Sequence, residues 1–417
     1  MNDKDKFGFY QVGDYKTYSK LETLELAKHT GTKATWNFNQ EVFGKVDWTV
    51  EPPGDLDYWY NIRAQQIRNK YDYIVLWFSG GADSHNVLNT FVKNNIFIDE
   101  IAQYHCLEGS QGDKKNMMNE EVFETSGPIT TRLIENNPTY KNTVHRMVDI
   151  SEIIAKVNVI DGNKWDYFYK VNTYLSPGAI ARSYIRELTP AYQRLINTGK
   201  KVCFLWSLEK PSVTKEDHHW KFSFKDGFDH TVSARYQMLN RDWEHDEFFY
   251  WSPDLPELVV KQAHVVKKYL EKISDKDVDN YHVLHGRPLV DSYGVSTNQV
   301  DYNAVIVNNG KTFTLTNSGL HRLIYTDWNP DLIVSGKPAS LIFNQRDQWF
   351  FNPINNDIGN AHFGRAVVWL RNHIKNLDPD VWYEYKFNQN VNSTYIGGIK
   401  RMSNSYILGP VNDQDRN

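Results

Sequence analysis

Between Asp72 and about Lys272, short apolar runs alternate with longer amphipathic ones, the pattern of crossover units laid on a parallel sheet. Tyr73-Ile74-Val75-Leu76-Trp77-Phe78 is apolar on both faces, as a central parallel strand must be. Ile98 to Cys106, Thr143 to Ile150 and Lys201 to Leu208 are its expected partners. Helices are predicted over 84–94, 116–136, 151–157 and 179–197, the last divided at Pro190 and ended by Gly199. Another is predicted from Asp254-Leu255-Pro256-Glu257, a D-x-x-E cap with an early proline, to about Ile273. Its Leu258, Val259, Val266 and Leu270 are expected to face inward. The fold class is α/β, a doubly wound parallel sheet.

Upstream, Ser19 and Glu22 make an S-x-x-E capping box for a helix with Leu21, Leu24 and Leu26 as apolar contacts and Gly31 as its stop. Glu51-Pro52-Pro53-Gly54 breaks the chain, and Asp55 is expected to cap a helix whose Tyr58, Ile62 and Ile67 share a face. Residues 1–54 therefore read as an N-terminal helical appendage and 55–275 as the main domain. Beyond about Ser274 the texture turns polar, with an Asn308-Asn309-Gly310 turn, strand-like Leu341-Ile342-Phe343 and Trp349-Phe350-Phe351, and a helix from Ala361 to Asn376. Residues 276–417 are expected to form a smaller α+β module for substrate or partner binding, with a frayed tail after Gly409.

Composition excludes several function classes. Of 417 residues 40% are apolar and 24% charged, a globular mixture rather than a disordered one. Forty-seven basic residues against 51 acidic leave a formal charge of −4, so no global basic character points to a nucleic-acid partner. The two cysteines, Cys106 and Cys203, are too few for a disulfide scaffold, a four-thiolate zinc site or an iron–sulfur cluster. No apolar run approaches the roughly 20 residues that span a bilayer, and the opening MNDKDKFGFYQVGDYK has no signal core, so a cytoplasmic chain without a membrane partner is expected.

One motif stands above this background. Directly after the best strand comes Ser79-Gly80-Gly81-Ala82-Asp83-Ser84, in the order strand, glycine turn, helix. Two glycines let backbone N–H groups close around an anion, Ser79 and Ser84 add hydroxyl donors, and the positive end of the new helix faces the same point. The loop has neither the lysine of G-x-x-x-x-G-K-[ST] nor the G-x-G-x-x-G of dinucleotide folds. Asp83 is the informative residue, because a carboxylate inside a phosphate cradle repels its ligand unless a divalent cation bridges them. Mg²⁺ arriving with a nucleotide is therefore implied.

S-G-G-x-D-S after a buried strand resembles the PP-loop of the ATP pyrophosphatases, the superfamily of asparagine, GMP and NAD synthetases and of tRNA-modifying sulfur and lysine transferases. The resemblance implies an adenine nucleotide α-hydrolase (HUP) fold with a five-stranded parallel sheet, and cleavage of ATP between its α and β phosphates to adenylate an acceptor. By that match Ser79, Gly80, Gly81, Ala82, Asp83 and Ser84 hold the pyrophosphate portion, Asp83 through Mg²⁺. More loosely, over about residues 60 to 275, the chain resembles tailed-bacteriophage proteins labelled phosphoadenosine-phosphosulfate-reductase-like, on Leu205 to Pro211 and on the 254–269 segment. Host cytoplasm is the compartment this implies.

Other residues are weaker candidates. Lys210 follows the fourth expected strand on the ligand-binding side of the sheet and is placed to neutralise the α-phosphate or the leaving pyrophosphate. Its surroundings resemble a G-x-D-K-P segment of some relatives, with Ser207 in place of the glycine and Glu209 of the aspartate. Arg182 and Arg186, four apart on one predicted helix, suit a fork for phosphate or carboxylate, although Glu187 offers an ordinary ion pair. Glu108 with Gly109 ends the second strand, where relatives contact ribose and adenine. Histidines 218, 219, 230 and 245 match no metal-ligand spacing, and Lys261 with His264 reads as polar helix surface.

What is missing narrows the chemistry further. Sulfite-releasing reductases need a nucleophilic thiol, usually near the C-terminus, and nothing after Cys203 supplies one. Cys106 and Cys203 fall in expected buried strands and read as small apolar residues. The expectation is an adenylating ligase or transferase that uses ATP and Mg²⁺ on a carbonyl, carboxylate or nucleobase oxygen. A nucleobase or nucleic acid is one acceptor class, and an amine or sulfur donor protein one source of the nucleophile. The alternatives are a non-catalytic nucleotide-binding module and, disfavoured by the missing thiol, a sulfonucleotide reductase.

Overall fold

The computed structural model describes residues 5–18, 20–108, 111–115, 119, 121–151, 185–186, 188–207, 212–224, 246–272, 305–308, 311–314, 324 and 403–411. The chain opens with β1 (Phe9–Val12), β2 (Tyr15–Thr17), α1 (Lys20–Thr30), β3 (Ala34–Asn37) and the short α2 (Gln40–Phe43). The strands form an antiparallel sheet in the order β2-β1-β3, so the expected helical appendage is a small sheet with a helix on it. Ser19 of the expected capping box lies outside the described residues, while Glu22 accepts from the Tyr15 hydroxyl at 2.6 Å and from Thr17.

The second part begins with α3 (Leu56–Lys70), whose first turn is capped as expected, Tyr58 N donating to Asp55 Oδ1 at 2.8 Å. Its buried face is Leu56, Tyr60, Arg63, Ala64 and Ile67, whereas Tyr58 lies exposed against expectation. Then come β4 (Tyr73–Trp77), α4 (Ala82–Lys93), β5 (Glu100–His105), a π-turn (Val122–Ser126) running into α5 (Gly127–Asn136), and β6 (Val144–Asp149). They are followed by α6 (Pro190–Ile196), with Pro190 at its first turn, and by β7 (Val202–Trp206). β8 (Ser212–Glu216), β9 (His219–Ser223), β10 (Asp246–Phe248) and α7 (Pro256–Leu270) complete this part.

Five strands form a wholly parallel sheet in the order β10-β7-β4-β5-β6. Numbered along the chain that order is 3-2-1-4-5 read from β6, which is doubly wound. The chain leaves β4 in one direction through β5 and β6, then returns to the other side of β4 for β7. The switch point therefore lies at the carboxyl ends of β4 and β7, where open sheets of this kind leave a crevice.

The remaining strands are β11 (Val305–Asn308), β12 (Lys311–Thr314) and β13 (Tyr406–Pro410). The β11–β12 pair is antiparallel across the expected Asn308-Asn309-Gly310 turn. β13 belongs to an antiparallel sheet in the order β13-β9-β8, and Val411 N donates to His218 O at 2.9 Å, so the chain is still paired where fraying was expected. The strand-like 341–343 and 349–351 and the helix at 361–376 lie outside the described residues, as do 152–157 and 179–184.

Two helix expectations change in detail. Asp254 does not cap α7; the cap position is Leu255, and the Asp254 carboxylate pairs with Lys70 at 3.2 Å. Lys261 and His264, expected on a polar surface, are buried against the chain before α3. Lys261 Nζ donates to Glu51 Oε1 at 2.7 Å and to Pro52 O at 3.2 Å, and His264 Nε2 lies 2.9 Å from Trp48 O. Both side chains fasten the 48–52 segment, whose backbone carbonyls need partners once buried.

The edge strand β10 was not expected at all, and it carries two fully buried acids, Asp246 and Glu247. Glu247 is met by Arg63 Nη2 at 2.9 Å, Lys6 Nζ at 2.9 Å, Lys70 Nζ at 2.7 Å and the Tyr71 hydroxyl at 2.7 Å. Burial alone would raise this carboxyl, but the three cations outweigh it and hold the group well below the usual carboxylate range. Arg63 also donates to Phe248 O at 2.7 Å and Phe249 O at 3.3 Å, so its buried guanidinium serves backbone as well as charge.

Removing one partner of such a cluster leaves uncompensated buried charge. Glu247→Gln is expected to lower the unfolding free energy by about 3–5 kcal/mol in urea denaturation at neutral pH. Because the folded pKa lies below the ordinary 4.5, the carboxylate's share of stability is complete above about pH 5 and lost as pH falls. Wild type should therefore destabilise more steeply than Glu247→Gln between pH 5 and pH 3. Parallel pH profiles for the two proteins would refute this role.

Candidate functional site

The expected phosphate loop lies at the carboxyl end of β4, on the switch point. β4 ends at Trp77, and Phe78 N still pairs with Ala102 O of β5 at 2.9 Å, so the turn begins from a fixed strand end. Gly80 then takes φ +84°, and Gly81, extended at φ −69° and ψ 162°, is the N-cap of α4. Ser79 Oγ accepts from Gly81 N at 3.2 Å and lies 3.2 Å from Ser84 Oγ. Ser84 Oγ donates to Gly81 O at 3.1 Å, and His85 N donates to the same carbonyl at 2.9 Å. The two hydroxyls and Gly81 thus bond one another within the turn. The amides of residues 82–84, in the first turn of α4, lack acceptors within the helix, and the dipole adds positive potential there.

Gly80 is required for two reasons. Its positive φ disfavours an L side chain, and a Cβ there would stand 3.0 Å from Ser126 Cβ and 3.3 Å from both Ser126 N and Thr125 Cγ2. Those neighbours come from the π-turn between β5 and α5, a feature that often accompanies function because the extra residue re-aims a helix end. At the head of that turn, Glu121 brings Oε1 to 3.8 Å from the point a Gly81 Cβ would occupy. Glu121 is a residue that the sequence did not single out.

Asp83 is half-buried in the first turn of α4, and its carbonyl accepts the Tyr250 hydroxyl at 2.7 Å. Asn86 Nδ2 in turn donates to the Tyr250 oxygen at 3.1 Å, so the residue two past β10 clamps this turn of the helix. The Asp83 charge reaches the buried Tyr60 hydroxyl, whose pKa is raised well above its ordinary value by burial first and then by Asp57 and Asp83. Asp83 in the first turn of α4 and Glu121 across from Gly81 thus bring two acidic residues to the elements that make the turn. Among the described residues no group of three or more metal-ligating side chains occurs. The donors fit Mg²⁺, which takes one or two carboxylates and completes its shell with water and phosphate oxygens.

The other expected residues divide. Lys210, Arg182 and Gly109 lie outside the described residues, as do His230 and His245. Arg186 is placed in a structural role rather than a phosphate fork. Its buried Nη1 pairs with Asp246 Oδ2 at 2.7 Å, and its guanidinium lies 5.5 Å from the Phe204 ring centre. Asp246 Oδ1 is also bonded, accepting from Trp206 Nε1 at 2.7 Å. Glu108 is exposed in the turn after β5, its backbone N donating to Asp149 Oδ2 at 2.9 Å.

Asp149, at the end of β6, was another residue missed. It also accepts from Ser151 Oγ at 2.5 Å and lies 3.6 Å from His105 Nδ1. Burial of Asp149 acts to raise its pKa, but the bonds from Ser151 and Glu108 and the neighbouring His105 bring it below the ordinary value. Both cysteines are buried thiols outside any disulfide, Cys106 Sγ lying 3.2 Å from Ser151 Oγ, and burial pushes the Cys203 thiol far up. Neither described setting resembles that of an activated thiolate.

No family model matches the chain, and no curated protein or solved structure matches it either. No helix among the described residues is long and apolar enough to cross a membrane.

Gly80→Ala should destabilise the protein by about 1–2 kcal/mol from the left-handed backbone alone, with a further loss from the Ser126 contact. Adding Ser126→Gly should recover the contact share and leave the backbone share, as read by urea denaturation at constant slope. Full recovery, or no loss in the single variant, would show that the loop does not hold this conformation.

Proposed function

We propose that this chain is a PP-loop ATP pyrophosphatase of HUP type, which cleaves ATP to AMP and pyrophosphate and adenylates an acceptor for attack by a nucleophile. The observation that carries the reading is the Ser79–Ser84 ring at the switch point of a 3-2-1-4-5 parallel sheet. Supporting it are the first-turn amides of α4 and the two flanking carboxylates.

Magnitudes decide why a cation belongs in the reading. An anion at a helix N-terminus gains about 0.3–1 kcal/mol, whereas two like charges 4 Å apart repel by about 4 kcal/mol at an effective dielectric of 20. Asp83 and Glu121 would thus turn a polyphosphate away from a cradle of neutral donors. Mg²⁺, when bound, neutralises phosphate charge and polarises the bond to the leaving pyrophosphate. Asp83 and Glu121 are the residues we propose to hold it.

The chain's own groups do the rest by position. The amides of 82–84, fixed in the first turn of α4, bind the departing pyrophosphate as its charge builds, and Ser79 and Ser84 turn their hydroxyls from the loop's own bonds to it. Tyr250 holds the Asp83 turn against β10. Lys210 and Arg182 remain proposed sources of positive charge for the α-phosphate. A nucleobase, carboxylate or carbonyl oxygen is the acceptor class, and the nucleophile is an amine or a sulfur donor. The reading does not use either cysteine, which separates it from sulfonucleotide reduction.

Asp83→Asn removes charge at nearly constant shape and is expected to lower Mg²⁺-dependent cleavage by at least about tenfold with the fold intact. The measurement is incubation of purified protein with α-³²P-labelled ATP, Mg²⁺ and cell extract, followed by separation of AMP, ADP and ATP. Protein-dependent AMP that is lost in Asp83→Asn supports the reading. ADP alone would show that another bond is cut, and unchanged AMP in the variant would remove Asp83 from the metal site.

A further inference from the structure

Near the switch point Trp77, His85 and Ser207 each bury a polar side-chain atom that has no hydrogen-bond partner among the described residues. Ser207, which follows β7 directly and is only 9% exposed, is the one hydroxyl of the three. The five residues before it, Val202 to Trp206, are all buried and apolar, so strand packing does not call for a hydroxyl here. An unpaired buried hydroxyl costs about 1–3 kcal/mol, and such a cost is retained where something else uses the group.

Register and alternation tell where the group faces. Leu76 lies opposite Leu205 in the parallel pair, so Phe78 and Ser207 are level just past the strand ends. Trp206 turns toward Trp77, their ring centres 5.5 Å apart, and toward Asp246. The two-residue alternation of a strand sends Ser207 to the opposite face, with Cys203 and Leu205. That face is the side of α3, because Glu247, level with Leu205 in the parallel pair, is met by Arg63 of α3, and α4 packs against α3. Phe78 there meets the His85 ring at 6.2 Å, and His85 Nδ1 is a second buried polar atom with no partner.

We infer that the Ser207 hydroxyl donates to a non-bridging oxygen of the nucleotide's α-phosphate, an inference that rests on the ATP reading of the loop. Adjacent strands lie about 4.8 Å apart. With the terminal phosphates in the ring after β4, the next phosphate along the nucleotide is presented across the switch point to the end of β7. Ser207 is then a determinant of nucleotide over bare pyrophosphate, because only the nucleotide carries the phosphate it reaches. A hydroxyl bonded to a charged oxygen contributes about 1.5–3 kcal/mol, a tenfold or greater effect on affinity.

The test is calorimetric titration of the full chain with Mg²⁺-ATP and, separately, Mg²⁺-pyrophosphate, alongside thermal melts without ligand. Ser207→Ala, and Ser207→Gly as a second variant lacking the same hydroxyl, should lose about tenfold or more in ATP affinity while pyrophosphate affinity is unchanged. The ligand-free melting temperature of Ser207→Ala should be equal to or higher than that of wild type, since an unpaired buried hydroxyl has been removed. ATP affinity that does not fall, a matching fall for pyrophosphate, or a lower melting temperature would each overturn the inference. Wild type that binds neither ligand would overturn the ATP reading itself, whereas wild type that binds both with unaltered variants sinks only the role of Ser207.

Discussion

The buried charge on Glu247 is the constraint from which the rest of the architecture follows. A carboxylate with no access to water must be matched, and the three cations that match it come from residues 6, 63 and 70, in the N-terminal module and α3. One side chain thereby joins the small N-terminal sheet, the helix ahead of the central strand and the edge strand β10. Asp246, its neighbour, does the same on the other face, with Arg186 and Trp206. Fixing β10 has a consequence at the loop. Tyr250, two residues past its end, holds the Asp83 carbonyl and Asn86, so the first turn of α4 is held by the strand that the ion cluster secures.

The loop is built from opposing tendencies. Glycines, hydroxyls and the helix dipole favour an anion, while Asp83 and Glu121 oppose one, and the carboxylates are the stronger influence at short range. On the proposed reading the opposition makes the loop conditional, favouring an anion that arrives with its own cation over a bare one. The π-turn matters in the same way. By setting Thr125 and Ser126 against the bare Cα of Gly80, it joins the β5–α5 connection to the loop and brings Glu121 within reach. A regular helix through 121–127 would place these groups differently, because one residue more or less per turn rotates everything after it.

Sequence made the β4–loop–α4 unit legible because all its signals are local: an apolar run, two glycines, two serines and a helix within about twenty residues. The partner strands were legible for the same reason. The N-terminal sheet was not, since strands of three and four residues give too short an alternation to read. β10 was hidden by its own chemistry, because Asp-Glu-Phe reads as surface until cations 60 to 241 residues away are brought to it. Lys261 and His264 failed likewise: a polar pair on a helix looks solvated unless one knows that a loop carbonyl and Glu51 lie against it. At the candidate site, Ser79 to Ser84 were legible, while Glu121, Asp149 and Tyr250 come from other elements and have no motif. Arg186 was misread because its spacing from Arg182 is visible and its partner on β10 is not.

Ser207 shows how an absence of local reason becomes an argument. In β7 every preceding side chain is apolar and buried, with Phe204 and Trp206 against Trp77 and Phe204 also against Tyr192. At the next position the apolar pattern stops, although the residue is still buried, and the hydroxyl meets no partner among the described residues. Folding stability alone would favour alanine there, since the same shape without a buried donor avoids the desolvation penalty. A residue that stability disfavours, placed at the crevice where two strands diverge, is best accounted for by a ligand atom. The loop beside it already supplies the reason such a ligand would be a phosphate.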